Sequence, residues 1–263
     1  MGLSKKTKNK LFTYGYATKG LIYLLIGGFA VATVAGSGSI NGPKEVIQWI
    51  GTNPFGNILL GIVGVGLAFY AVWRMYSAIS PPPGKDEDGV KGTVKRIGWF
   101  VSGISHALLA FFVFRLLFMS GGSGSGDTKQ DMVAKLLEQP WGQWLVGIVG
   151  VIVAGVGLYQ LYRGVTDKHM EPVDESHLSK EQEEAFRNSG RIGLASRAIV
   201  FGIISYFLFK AAMMNDASQF KGISGALETI QDGSYGAVLL ALTGVGLFAY
   251  GLFMWVRARY ETV

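Results

Sequence analysis

Six stretches of this chain, at roughly 17–36, 55–79, 97–119, 144–162, 192–214 and 235–256, are apolar and hold no Asp or Glu; all 18 acids lie outside them. Each is long enough, at about 20 residues, for a helix to cross about 30 Å of hydrocarbon. They lack the strict alternation of barrel strands, so helices are the only backbone that satisfies its own hydrogen bonds in lipid here. Composition agrees. Only 16% of residues are charged, against about 25% in soluble domains. The 38 glycines suit helices that approach one another closely in a membrane. The expected fold is all-α: a polytopic membrane protein of six transmembrane helices.

The positive charges are distributed unequally. The three loops after the odd-numbered spans hold Lys44, Lys129, Lys135 and Lys221, and the spans themselves hold Lys19, Arg115, Arg197 and Lys210. The remaining sixteen of 24 Lys and Arg lie on the side of the termini: Arg74 near the inner end of the second span, and the others in the N-terminal segment, the second–third and fourth–fifth loops, and the C-terminal segment. By the positive-inside rule both termini are cytoplasmic. This spread also accounts for the net charge of +6 without nucleic acid, which would require bases gathered on one surface. The basic start, apolar run and Ala30-Val31-Ala32 mimic a cleavable signal, but the first span has later counterparts. Gly2 lacks the Ser or Thr that myristoylation needs four residues on, where Lys6 stands.

Those counterparts form a threefold repeat. Aligning Gly15, Gly98 and Gly193 brings Lys19, Ser102 and Arg197 together four residues later, then Gly20, Gly103 and Ala198, then Tyr23, His106 and Phe201. The second helices begin at Pro54-Phe55-Gly56, Pro140-Trp141-Gly142 and Ser234-Tyr235-Gly236, and continue to Gly61, Gly147, Ala241 and Gly64, Gly150, Gly244. Such small pairs, three residues apart, define a face that can pack closely. Each second helix ends at a base: Arg74, Arg163 or Arg257. The single membrane domain, 1–263, therefore divides into repeat one (10–79), repeat two (95–163) and repeat three (190–258). With two spans per unit the copies are parallel. Between the two helices of each repeat, segments 43–51, 129–139 and 221–231 read as short amphipathic linkers, the first two lying at the membrane interface. A Gly/Ser run at 121–126 leads flexibly into the second. Ser179 and Gln182 form a capping box for a surface helix at 180–188.

These residues resemble a bacterial membrane family catalogued as domain of unknown function 1206. The resemblance rests on Arg96-Ile97-Gly98 and Arg191-Ile192-Gly193, on Gly15 with Lys19-Gly20 and Tyr23, and on the Pro-aromatic-Gly starts. It covers about residues 10–258. Membership implies three tandem two-helix repeats in the bacterial inner membrane, without an assigned activity or catalytic residue. Repeat two departs from the pattern with Ser102 in place of a base and His106 in place of an aromatic.

Four intramembrane polar residues are candidates for function: Lys19, Ser102, His106 and Arg197. Lys19 and Arg197 lie about five residues inside their spans, where charge is costly and usually functional. At this depth their long side chains are expected to snorkel to inner-leaflet phosphates; the alternative is a partial basic ring with Ser102, able to hold an anion or a lipid phosphate. His106 aligns with rings, which favours a packed structural histidine. With no carboxylate or second His in any span, no metal, haem or other cofactor is expected. His169 and His177 read as solvated loop residues. Cysteine is absent, and no phosphate loop, zinc-protease motif or nucleophile elbow occurs. The expected protein is not an enzyme. It is a structural, lipid-binding or partner-binding membrane protein, its partners being membrane lipids and a second membrane protein. The alternative is a small transporter or anion channel with a path near Lys19 and Arg197. The spans carry no carrier signature and no acid for cation coupling.

Overall fold

The computed structural model describes residues 4–81, 89–118, 128–174, 176 and 178–261. The run at 121–126, the end of the third span and His177 lie outside the described residues. The long helices are α1 (Lys5–Val34), α3 (Gly56–Ile79), α4 (Gly89–Phe118), α6 (Gly142–Val165), α7 (Lys180–Met214) and α9 (Gly236–Tyr260). Three short ones, α2 (Pro43–Thr52), α5 (Thr128–Leu137) and α8 (Ile223–Gln231), each join the two long helices of a repeat. All six long helices are long and apolar enough to cross a membrane.

The helix starts follow from local chemistry. Ser4 caps α1 by accepting from the Thr7 amide. Ser179 and Gln182 form the expected reciprocal box, satisfying amides that have no partner in the first turn. The helix it starts runs without a break through Ser189-Gly190 into the fifth span, so 180–188 is the first part of α7 rather than a separate surface helix. At the starts of α3, α6 and α9 the glycine is obligatory. A Cβ would lie 2.4 Å from the Gly51 carbonyl at Gly56, 1.8 Å from that of Leu136 at Gly142, and 1.8 Å from that of Gln231 at Gly236. The chain doubles back there over the end of the short helix. The preceding Phe55, Trp141 and Tyr235 remain 60–85% exposed, as suits aromatic side chains at a membrane boundary.

The six long helices are arranged as an open ring. The broadest contacts are between repeats, α1 on α9, α3 on α4 and α6 on α7; within repeats, α1 packs on α3 and α7 on α9. Among the described residues, no comparable interface forms between α4 and α6. The apolar stretches of α4 and α6 are accordingly only 17% and 22% buried, against 44–50% for the other four.

The small residues build the closed interfaces in a regular way. Gly64, Gly150 and Gly244 each face the first helix of the next repeat around the ring: Val113 and Phe114 on α4, Phe209 on α7, and Ala30 and Val31 on α1. Gly20 and Gly103 face back onto α9 and α3 at the Gly251 and Ala71 carbonyls, and Ala198 meets Gly157 of α6. Gly61 and Gly147, expected to share this packing face, meet nothing within 4 Å. One step of the helical turn carries them past the contact.

The short helices correct a second expectation. The apolar side of α2 (Val46, Ile47, Ile50) and that of α8 (Ala226, Leu227, Ile230) are buried in the main core with residues of α1, α3, α4, α7 and α9. They plug one end of the ring instead of lying on lipid. The α5 residues Val133 and Leu137 join a separate cluster with Val146, Leu208 and Ala211. The cause is burial: packing α2 and α8 against protein covers apolar side chains and fills the ring's centre at once.

Candidate functional site

Lys19 and Arg197 come together. Lys19 is 5% exposed, and its Nζ donates to Tyr70 Oη at 2.8 Å. The ammonium lies 4.7, 5.7 and 6.0 Å from the rings of Tyr70, Tyr250 and Tyr23. The Arg197 guanidinium lies 4.3 Å from the Tyr250 ring, 5.0 Å from that of Phe201 and 5.1 Å from that of Tyr23. Its Nη1 donates to Tyr250 Oη. The two cations thus share the faces of Tyr23 and Tyr250, whose rings meet edge to face at 4.9 Å. Buried cation–ring contacts of this kind contribute about 2 kcal/mol when desolvated. The Lys19 side chain therefore does not climb to the lipid phosphates but is held inside the ring.

Both cations are positioned by one device used twice. Gly15 and Gly193 let the first helix approach the backbone of Tyr70 and Tyr250, where a Cβ would lie 2.7 and 2.6 Å from their Cα atoms. One turn along, Thr18 fits against Gly66 and Ser196 against Gly246. The next residue, Lys19 or Arg197, then reaches the tyrosine hydroxyl. In repeat two the corresponding residues are Gly98, Val101, Ser102, Ile152 and Val156. Branched Val101 and Ile152 stand where the others place Thr or Ser against Gly, and a Cβ on Gly98 would meet nothing within 4 Å. This is the open interface.

A second layer lies toward the termini. Arg74 Nε donates to the same Tyr70 Oη at 2.8 Å. The Arg74 and Arg257 guanidiniums lie 5.4 and 4.7 Å from the ring of Tyr16, which is buried. Arg257 is held by Glu261, Nε to Oε2 at 2.6 Å. Read from sequence as bases at the membrane exit, Arg74 and Arg257 instead turn into the bundle.

Ser102 enters only through its carbonyl oxygen, which accepts from His106 Nδ1 at 2.7 Å. The His106 ring lies 4.4 Å from that of Tyr70, as the ring of Tyr23 lies against Tyr250. His169 is not a solvated loop residue. It is fully buried, with Nδ1 3.0 Å from the Arg163 carbonyl and Nε2 3.1 Å from that of Arg187. Gly190 makes the room, since a Cβ there would lie 2.2 Å from the imidazole. Burial holds the imidazole below its ordinary pKa, against the upward pull of the two carbonyls. Nearby, Asp167 takes Arg191 and Arg187, and these bonds hold its carboxyl below the usual range.

The family model described as Domain of Unknown Function (DUF1206) matches residues 14–80, 97–167 and 192–261. The chain belongs to this family. It is also 32% identical over 247 residues to the uncharacterized protein YxxB of Bacillus subtilis (strain 168), covering 94% of this chain and 89% of that protein. No solved structure matches it. The matched segments are the three two-helix units described above, so each DUF1206 segment supplies one long pair and one short helix.

Sequence reasoning missed Tyr70, Tyr250, Tyr16 and Glu261. The first two carried a signal: an aromatic six residues after Gly64 and Gly244, with Val156 in the repeat-two position.

Proposed function

We propose that this protein is a non-catalytic phospholipid-binding protein of the bacterial plasma membrane, with both termini cytoplasmic. The carrying observation is the gap between α4 and α6 in a ring whose other five interfaces are closed. Val101 and Ile152 stand where the closed repeats place Thr or Ser against Gly, and apolar walls remain: Phe100, Val101 and Ile104 on α4, Val149 and Tyr159 on α6 are 36–50% exposed. An acyl chain fits such walls by dispersion contact alone. The gap lies at the depth of the cation cluster, because Ser102 and Val156 occupy the positions equivalent to Lys19 and Tyr70. A lipid entering there carries its headgroup toward positive charge. The plug of Val46, Ile47, Ala226 and Leu227 favours this reading over an anion path through the ring.

The test is lipid retention. Wild-type protein, purified in a mild detergent, is expected to retain phospholipid detectable by native mass spectrometry. Gly98→Trp and Val156→Trp, which fill the gap without touching Lys19 or Arg197, are expected to lower retention about tenfold, equivalent to about 1.4 kcal/mol. Undiminished retention in both variants would remove the gap as the binding place.

A further inference from the structure

We infer that Arg197 and Lys19 form a phosphate-binding site, reached from the α4–α6 gap, that holds an anionic phosphate group. The inference rests on the lipid-binding reading and names the chemistry of its headgroup. Four cations, Lys19, Arg74, Arg197 and Arg257, meet inside apolar helices. The carboxylate of Glu261 pairs with Arg257. Among the described residues, Lys19, Arg74 and Arg197 take part in no ion pair; their partners are phenol hydroxyls and rings. An ion taken out of water without a counter-charge costs several kcal/mol, and intramembrane charge is retained where it has a partner. The missing partner is an anion.

The geometry selects the place. Arg197 Nη1 is engaged by Tyr250, yet its Nε is buried without a hydrogen-bond partner. A guanidinium offers Nε and Nη as a planar fork that fits two oxygens of a phosphate, which a lysine cannot match. Lys19 adds a point charge over the same two rings. Arg197 retains part of its surface where Lys19 is almost wholly buried, so an incoming anion meets Arg197 first. One turn further on, Phe201 rests on Gly157 of α6, so Arg197 is one helix removed from the gap. Repeat two carries Ser102 where a third base would stand, and thereby leaves the entrance uncharged and open.

The experiment compares wild type, Arg197→Gln, Lys19→Gln and Arg197→Lys in nanodiscs containing phosphatidylglycerol or phosphatidylcholine. Native mass spectrometry counts retained lipid, and a melting curve in lipid-depleted detergent is taken with millimolar inorganic phosphate or with chloride at matched ionic strength. Wild type is expected to prefer phosphatidylglycerol about tenfold, and both Gln variants to lose that preference. Arg197→Lys keeps the charge but loses the fork; it is expected to fall between and to melt as wild type does, so the test survives if the Gln variants misfold. Phosphate that raises the melting temperature of wild type but not of the variants, without a lipid preference, would assign the site to the free oxyanion. Equal lipid preference and equal phosphate response in wild type and the variants would overturn the site. In that case lipid loss in Gly98→Trp would still support the gap, whereas retention there would overturn the lipid reading itself.

Discussion

In repeats one and three the first helix lies on the second at Gly15–Tyr70 and Gly193–Tyr250, whereas in repeat two Gly98 faces open space. The backbone plan is the same in all three. The difference is a few side chains at the closest approach: Thr18 and Ser196 against glycine, Val101 against Ile152. In a membrane the hydrophobic effect does not drive helices together, since lipid tails are as apolar as leucine. Association then depends on how near two backbones can come and on polar groups that find partners. Repeats one and three have both, with a base reaching a tyrosine hydroxyl. Repeat two has neither, and the ring opens there.

The contrast is open to direct attack. The largest effect is expected from Gly66→Val and Gly246→Val, where a β-carbon would lie 2.7 and 2.6 Å from those of Thr18 and Ser196; each should cost about 3 kcal/mol through overpacking. Repeat two already carries Ile152 at this position, and Ile152→Val should cost about 1 kcal/mol or less. Next, Gly15→Ala and Gly193→Ala should each destabilise by about 1–3 kcal/mol through overpacking. Gly98→Ala should be neutral or gain up to about 1 kcal/mol of helix propensity. Thermal melts in detergent compare all of these variants.

A smaller, pH-dependent effect is expected where the 166–179 loop ties α6 to α7. Folding keeps His169 below its ordinary 6.5, so on acidification the unfolded state takes up a proton that the folded state refuses. Stability of the loop should therefore fall as pH drops below about 6.5. Asp167, held below its ordinary 3.8, contributes stability that is lost only at still lower pH, as it protonates through its folded value. Limited proteolysis of the loop across pH should show the first step in wild type and not in His169→Gln. The smallest effect is expected from His106→Phe, which installs the ring that repeat three already carries as Phe201. The change in melting temperature should correspond to less than about 0.5 kcal/mol, and a large loss would give the imidazole a role beyond packing.

Much was legible beforehand. The six spans, the Pro-aromatic-Gly starts and the alignment of Gly15, Gly98 and Gly193 follow from apolar length and from glycines whose reasons are local or repeated. Lys19 and Arg197 were legible as charges in apolar helices. Their tyrosine partners were not, because Lys19 and Tyr70 are 51 residues apart and a tyrosine in an apolar span reads as ordinary filling. His169 read as solvated because polar neighbours surround it in sequence; the small residue that makes room for it, Gly190, lies beyond the loop on α7.

Sequence alone determined that these helices lie in lipid and that they come as three copies of a pair, because both follow from composition and periodicity along one strand of chain. Tertiary structure decided which copies close, that α2 and α8 turn inward, and that two distant bases share the same aromatic faces. Those outcomes depend on which side chains meet across helices at distances of a few ångströms, and no pattern read along the chain contains that distance.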